Sequence, residues 1–185
     1  MTDGYQAVIY DLDGTLAHLQ VDWGQVREDV AAKFRVRDID VADASLWELL
    51  ERAEARRDED AGLDQLARAV EETIAEHERD GARRSDRLPA ADELPLDVPV
   101  GVCSLNCEAA CRIALELHGI DSDVQVIVGR DTVESYKPDP KPLLYAARQL
   151  GAEPTQTLFV GDSERDEIAA ERAGMPFQYV SDRPE

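Results

Sequence analysis

The sequence predicts an α/β fold, a parallel sheet flanked by helices and interrupted by an inserted all-helical segment, on three observations. Short apolar runs without clean polar alternation recur along the chain. Helix-like segments separate those runs in the C-terminal half, and a long stretch after the first run carries helical periodicity alone. Strands lacking alternation are buried on both faces, and strand–helix–strand repetition gives a parallel sheet covered by helices.

The first strand is Tyr5 to Tyr10, largely apolar and ending abruptly in the turn-forming Asp11-Leu12-Asp13-Gly14. From Asp22 to about Arg84, β-branched runs vanish. Apolar residues there fall at helical spacing: Val26, Val30 and Phe34; Leu46, Leu49, Leu50 and Ala53; Leu63, Leu66, Val70 and Ile74. Three helices fit, with Asp22 and Ser45 as caps and Gly62 and Gly81 where helices break. The charge-rich window Arg52 to Asp60 reads as a solvated helix end. Ser85 to Pro99, with prolines at 89, 95 and 99, returns the chain to the sheet. The remaining strands are Val98–Cys103, Val124–Val128, Thr157–Val160 and Phe177–Val180, and the helices between them Glu108–His118, Pro142–Leu150 and Arg165–Ala173.

Of 185 residues, 43% are hydrophobic, which is enough for a core. No run approaches the roughly 18 apolar residues that span a bilayer. Met1 to Tyr10 has no basic stretch ahead of its apolar run, so no secretory signal and a cytoplasmic location are expected. Acidic residues outnumber basic ones 40 to 20, for a formal charge of -20, and only Lys33, Lys137 and Lys141 among the basic residues are lysines. That balance resembles proteins of salt-loving organisms, whose carboxylate surface stays hydrated when salt screens charge. Such a field repels nucleic-acid phosphate and anionic membrane, which argues against both as partners; a monomer or homodimer is expected.

In a parallel sheet, ligands bind beyond the carboxyl ends of the strands. Asp11 and Asp13 follow the first strand, Ser104 and Asn106 the second, and Gly161, Asp162, Ser163 and Asp166 the fourth; the loop after the third carries Lys137. Four carboxylates, a hydroxyl and an ammonium are thus expected on one edge. Carboxylates at short range repel, and a hard divalent cation relieves this; oxygen-only ligands in small number suit Mg²⁺ better than Ca²⁺, and no His or Cys favours zinc. A phosphoryl group brought there needs neutralisation and alignment. Lys137 supplies a point charge, Ser104 a hydrogen bond, and Gly14 lets the backbone around Leu12 and Asp13 turn its N–H groups inward. One carboxylate can act as nucleophile while a second carries a proton.

Asp11-Leu12-Asp13-Gly14-Thr15-Leu16, Ser104, Lys137-Pro138 and Gly161-Asp162-Ser163-Glu164-Arg165-Asp166 resemble the four ordered motifs of the haloacid dehalogenase-like superfamily, in its phosphoglycolate phosphatase-like branch. The resemblance implies a Rossmann-like core, residues 1–17 and 86–185, and a helical cap, residues 18–85. It implies Asp11 as nucleophile and Mg²⁺ ligand, and Asp13 as general acid and base whose backbone carbonyl also meets the metal. Leu12, Asp13, Ser104 and Lys137 would bind the phosphoryl group, and Asp162 and Asp166 would complete the metal site. The implied substrate is a small phosphorylated metabolite, phosphoglycolate or a sugar phosphate, cleaved through an aspartyl-phosphate. A phosphomutase shares both aspartates and is the enzyme alternative. A phosphate-sensing or protein-binding module is the non-catalytic one, against which Asp13 argues. In this chain Leu105 separates Ser104 from Asn106, where the family often places Asn directly after the hydroxyl, and Leu88 to Leu96 is short and proline-rich.

Other features have plainer readings. Ser163-x-x-Asp166 also suits a helix cap. Cys103, Cys107 and Cys111 read as buried, reduced thiols. Lys141 reads as solvated. His18, Trp23 and Arg27 follow the first motif closely enough to serve it, although packing for Trp23 and a solvent-facing Arg27 are the simpler expectations.

Overall fold

In the computed structural model, which describes residues 4–57, 59 and 61–182, Ala7–Tyr10 forms the central strand β1. All four of its residues are apolar, and all four are buried. Numbering the strands along the chain, β2 is Ala17–His18, β3 Asp86–Arg87, β4 Val100–Cys103, β5 Val126–Val128, β6 Thr157–Gly161 and β7 Phe177–Tyr179. The main sheet is parallel, in the order β5-β4-β1-β6-β7. Register places Val8 between Val100 and Leu158, and Tyr10 between Val102 and Val160. The ends of β1, β4 and β6 therefore lie side by side.

Alternation along each strand sends Ile9, Cys103 and Phe159 to one face, where they join Leu143, Ala146, Ala147, Ala169, Ala170 and Met175 in one buried cluster. Those partners come from α5 (Lys141–Gln149), α6 (Glu164–Ala173) and the turn after it. Tyr10, Val102 and Val160 point to the other face and are equally buried. Each fully buried side chain of this size is worth about 1.5–3 kcal/mol. The edge strands β5 and β7 are only half covered. β4 begins at Val100 rather than Val98, because Pro99 has no N–H for the ladder, though its carbonyl still accepts from Val8 at 3.0 Å.

The chain divides into two compact units, Met1–Gln20 with Gly81–Glu185, and Val21–Asp80. The second holds α1 (Trp23–Arg35), α2 (Leu46–Ala55) and most of α3 (Ala61–Ala82). Asp22 caps α1 through the Gln25 amide, and Ser45 and Glu48 form a reciprocal capping box on α2. Val26, Val30, Phe34, Leu49, Leu50, Leu66, Val70 and Ile74 are buried, as their spacing requires; Leu63 is half-buried. Gly62 and Gly81 break nothing: both lie inside α3, at its second and penultimate positions. Helix ends already lack some intrahelical bonds, so glycine costs less there. Arg52–Ala55 continues α2, while Asp58 and Asp60 of the charged window, and Met1–Asp3 at the start, lie outside the described residues.

The sequence offers no sign of β2 and β3, which pair antiparallel as Ala17↔Arg87 and His18↔Asp86. Beside them Gln20 N–H donates to the Gly81 carbonyl at 3.2 Å, so the chain leaves and re-enters the α/β unit at one place. No described helix is long and apolar enough to cross a membrane.

Candidate active site

The turn after β1 is built on one carbonyl. Leu12 C=O accepts from the N–H groups of Thr15, Leu16 and Ala17 at 3.1, 2.9 and 3.0 Å, while Gly14 N–H donates to Ala17 C=O at 2.8 Å. Gly14 has φ +87°, and a Cβ at this position would land on the Asp162 carboxylate. Glycine is therefore required twice, for the backbone angle and for the close approach of the β6 loop.

Lys137 joins three loops. Its Nζ lies 2.8 Å from Asp11 Oδ1 and 2.5 Å from Asp166 Oδ1, and 5.2 Å from the centre of the Phe159 ring. All four residues are buried, Lys137 to 2% exposure. Burial alone would lower the ammonium's proton affinity, but Asp11 and Asp166 outweigh it and hold Lys137 charged. Burial pushes Asp11 up to about 7; Lys137 and the Leu12 amide oppose the shift, and Asp166 adds to it. Burial also raises Asp162, with Asp166 adding to the effect, and raises Asp13 against a hydrogen bond from Leu19.

Asp166 serves two structural purposes at once. Its Oδ2 accepts from Ser163 Oγ at 2.6 Å and Ser163 N–H at 3.2 Å, closing a capping box on α6, while Oδ1 takes Lys137. Asp13 points elsewhere: its Oδ1 accepts from Leu19 N–H at 2.8 Å and stands 3.6 Å from His18 Nδ1 on β2. Ser104 is buried just past β4, one strand over from Asp11. Its hydroxyl donates to Asn106 Oδ1 at 3.0 Å and accepts from Asn106 N–H at 3.2 Å. The intervening Leu105 thus makes a turn that brings Asn106 back onto Ser104.

Lys141 is exposed at the start of α5, away from this network. In the helical unit Trp23 is 37% exposed, and Arg27 bonds the Ala44 carbonyl and Glu28. The three cysteines are buried and are not joined in disulfides. Sequence reasoning missed two contributors. Phe159 looked like an ordinary strand residue, and Arg130, 4% exposed on the loop after β5, was hidden by a pattern that drew attention only to Lys137.

One carboxylate oxygen from each of Asp11, Asp162 and Asp166 lies within 4.8 Å of the other two. One ammonium against three such groups leaves excess negative charge, and the donors are all oxygen, which fits a hard divalent cation. Asp166 has both oxygens engaged already, so Asp11 and Asp162 have the freer lone pairs. Nearby, burial pushes the Cys103 thiol up to about 12.

A family model for haloacid dehalogenase-like hydrolases matches residues 8–180. A phosphoglycolate phosphatase of Rhodospirillum rubrum is 30% identical over 191 residues, spanning 95% of this chain and 79% of that protein. One from Cereibacter sphaeroides is 31% identical over 186 residues, spanning 95% and 84%. The crystal structure of a hydrolase from Pseudomonas syringae superposes with a TM-score of 0.67 at 26% identity, covering 93% of this chain and 83% of that one.

Proposed function

The chain belongs to the haloacid dehalogenase-like hydrolases and is a phosphatase, and we propose that it hydrolyses a small phosphomonoester in two steps through a phosphorylated Asp11. The observation that carries this reading is the Lys137 bridge: residues 126 and 29 positions from it in sequence meet its ammonium at the sheet edge, with Asp162 in reach.

Asp11 Oδ1 is held by Lys137, and its other oxygen would attack phosphorus. A new Oδ–P bond forms as the P–O bond to the alcohol breaks, and Asp13 protonates the departing alkoxide. Asp13 suits this part because burial raises its proton affinity, outweighing the Leu19 amide and His18. It then removes a proton from the water that attacks phosphorus, releasing inorganic phosphate and restoring Asp11. Lys137 stays charged throughout and neutralises the equatorial oxygens, while Ser104 and the Leu12 and Asp13 amides orient them. Mg²⁺, held chiefly by Asp11 and Asp162, would supply further positive charge against the phosphoryl oxygens. In this reading Asp166 orients Lys137, and residues 18–85 act as the cap.

The named activity of the two relatives supports phosphoglycolate as a first candidate, with sugar phosphates beside it. The test is phosphate release from p-nitrophenyl phosphate and a panel of phosphorylated metabolites with Mg²⁺, for the parent and Asp11→Asn. The variant should release none, and acid-quenched parent should carry phosphate on the peptide containing Asp11. Normal turnover by the variant would reject the mechanism, and transfer between sugar positions with little free phosphate would indicate a mutase.

A further inference from the structure

The turn that carries Ser104 is held from behind by the loop after β5. Arg130 Nη1 donates to the Leu105 carbonyl at 2.5 Å, and Arg130 N–H donates to the Asn106 carbonyl at 2.9 Å. One residue on, Asp131 Oδ1 accepts from Glu108 N–H at 2.8 Å. It thereby caps α4 (Glu108–Leu117), whose own N-cap, Cys107, makes no side-chain cap bond. Thr132 Oγ1 donates to Glu108 Oε2 at 2.9 Å. The two loops are so close that a Cβ on Gly129 would sit 2.7 Å from Glu108 Cα and 2.8 Å from the Cys107 carbonyl carbon.

In a trans peptide the C=O and the following N–H point in opposite directions. Fixing the Leu105 and Asn106 carbonyls on Arg130 therefore turns the Asn106 and Cys107 N–H groups to the opposite side. The Asn106 N–H meets the Ser104 hydroxyl there, at 3.2 Å. A guanidinium suits the Leu105 contact, because it is always charged and its rigid plane aims the donor in a direction that a flexible lysine does not hold; the Asn106 carbonyl is held by the Arg130 backbone N–H. Arg130 is also nearly fully buried, so water cannot replace it.

We propose that Arg130 is a positioning residue for phosphoryl binding, locking the Ser104–Asn106 turn into one shape from the side away from the site. The inference rests on the reading of Ser104 as a phosphoryl ligand. Arg130→Lys keeps the charge and loses the rigid plane; Asp131→Ala removes an exposed anchor of the same loop. With p-nitrophenyl phosphate and Mg²⁺, Arg130→Lys should lose at least tenfold in kcat/KM and be inhibited at least tenfold less well by inorganic phosphate. Amide exchange over residues 104–108 should accelerate in parallel. Asp131→Ala should weaken phosphate inhibition at least threefold. Kinetics and phosphate inhibition within twofold of the parent overturn the proposal, even if melting temperatures fall, because a purely structural residue would behave that way. Where Arg130→Lys yields no folded protein, Asp131→Ala decides by the same limit. An active parent with unchanged variants overturns this inference alone, whereas a parent that releases phosphate from no ester overturns the phosphatase reading with it.

Discussion

Replacing Lys137 with methionine keeps most of the side chain's length but removes the cation 2.8 Å from Asp11, 2.5 Å from Asp166 and 5.2 Å from the centre of the Phe159 ring. Breaking a buried ion pair in this way costs about 3–5 kcal/mol, because the remaining charge is left uncompensated. Two carboxylates lose their partner here, which places the loss at the upper end of that range. Proton uptake can offset part of it. Asp11 already has its proton affinity raised by burial, to about 7, and without Lys137 the shift grows. A carboxylate whose folded value exceeds its unfolded one contributes full stability below the unfolded value and loses it as pH rises through the folded one. The deficit of Lys137→Met should therefore be small near about pH 4 and widen through neutrality. For a chain of this length 1 kcal/mol moves the melting temperature by about 2–4 °C, so a loss of about 4 kcal/mol predicts a drop of about 8–16 °C at neutral pH. Thermal melts by circular dichroism on chelator-treated protein would measure it. A loss under about 1 kcal/mol at neutral pH, or one that does not depend on pH, would show that the Lys137 charge does not hold Asp11 and Asp166 in place.

Other consequences follow from the same geometry. Gly14→Ala should cost about 1–2 kcal/mol for its positive φ and, by displacing the Asp162 carboxylate, weaken Mg²⁺ binding; calorimetric affinity equal to the parent's would contradict this. Native protein should resist iodoacetamide at Cys103, whose buried thiol is pushed up to about 12, and react only in denaturant; mass spectrometry reports the difference. Burial, reinforced by Arg87, lowers the proton affinity of His118 below its ordinary value, and its ring meets Ser85 Oγ at 2.9 Å. The unfolded chain thus takes up this proton first, so the residue's contribution to stability is complete above the unfolded value of 6.5 and is withdrawn as pH falls through the folded one. An NMR titration of the His118 ring with its midpoint at or above the ordinary value would exclude that account.

Much of the α/β framework was legible because it depends on patterns that water imposes on any sequence. Central strands buried on both faces must be continuously apolar, as Ala7–Tyr10 and Val100–Cys103 are. Amphipathic helices must repeat near 3.6 residues, and Asp22, Ser45 and Ser163 announce helix starts because their oxygens accept from orphan amides. The polar residues at the strand ends were legible too, since loops there share an edge in any parallel sheet. Two-residue strands such as Ala17–His18 and Asp86–Arg87 escaped, because a ladder that short has no period to detect.

Which residues are apolar enough to be buried, and which charged or hydroxylated ones follow the strands, can be read in one dimension, because both properties are local. How those groups share partners is set by packing in three dimensions. That packing gave one oxygen of Asp166 to Lys137 and the other to Ser163, turned Asn106 back onto Ser104, and placed Arg130 behind that turn. A hydrogen bond depends on angles and on tenths of an ångström, set by packing between segments far apart in the chain, and no local pattern of residues encodes them.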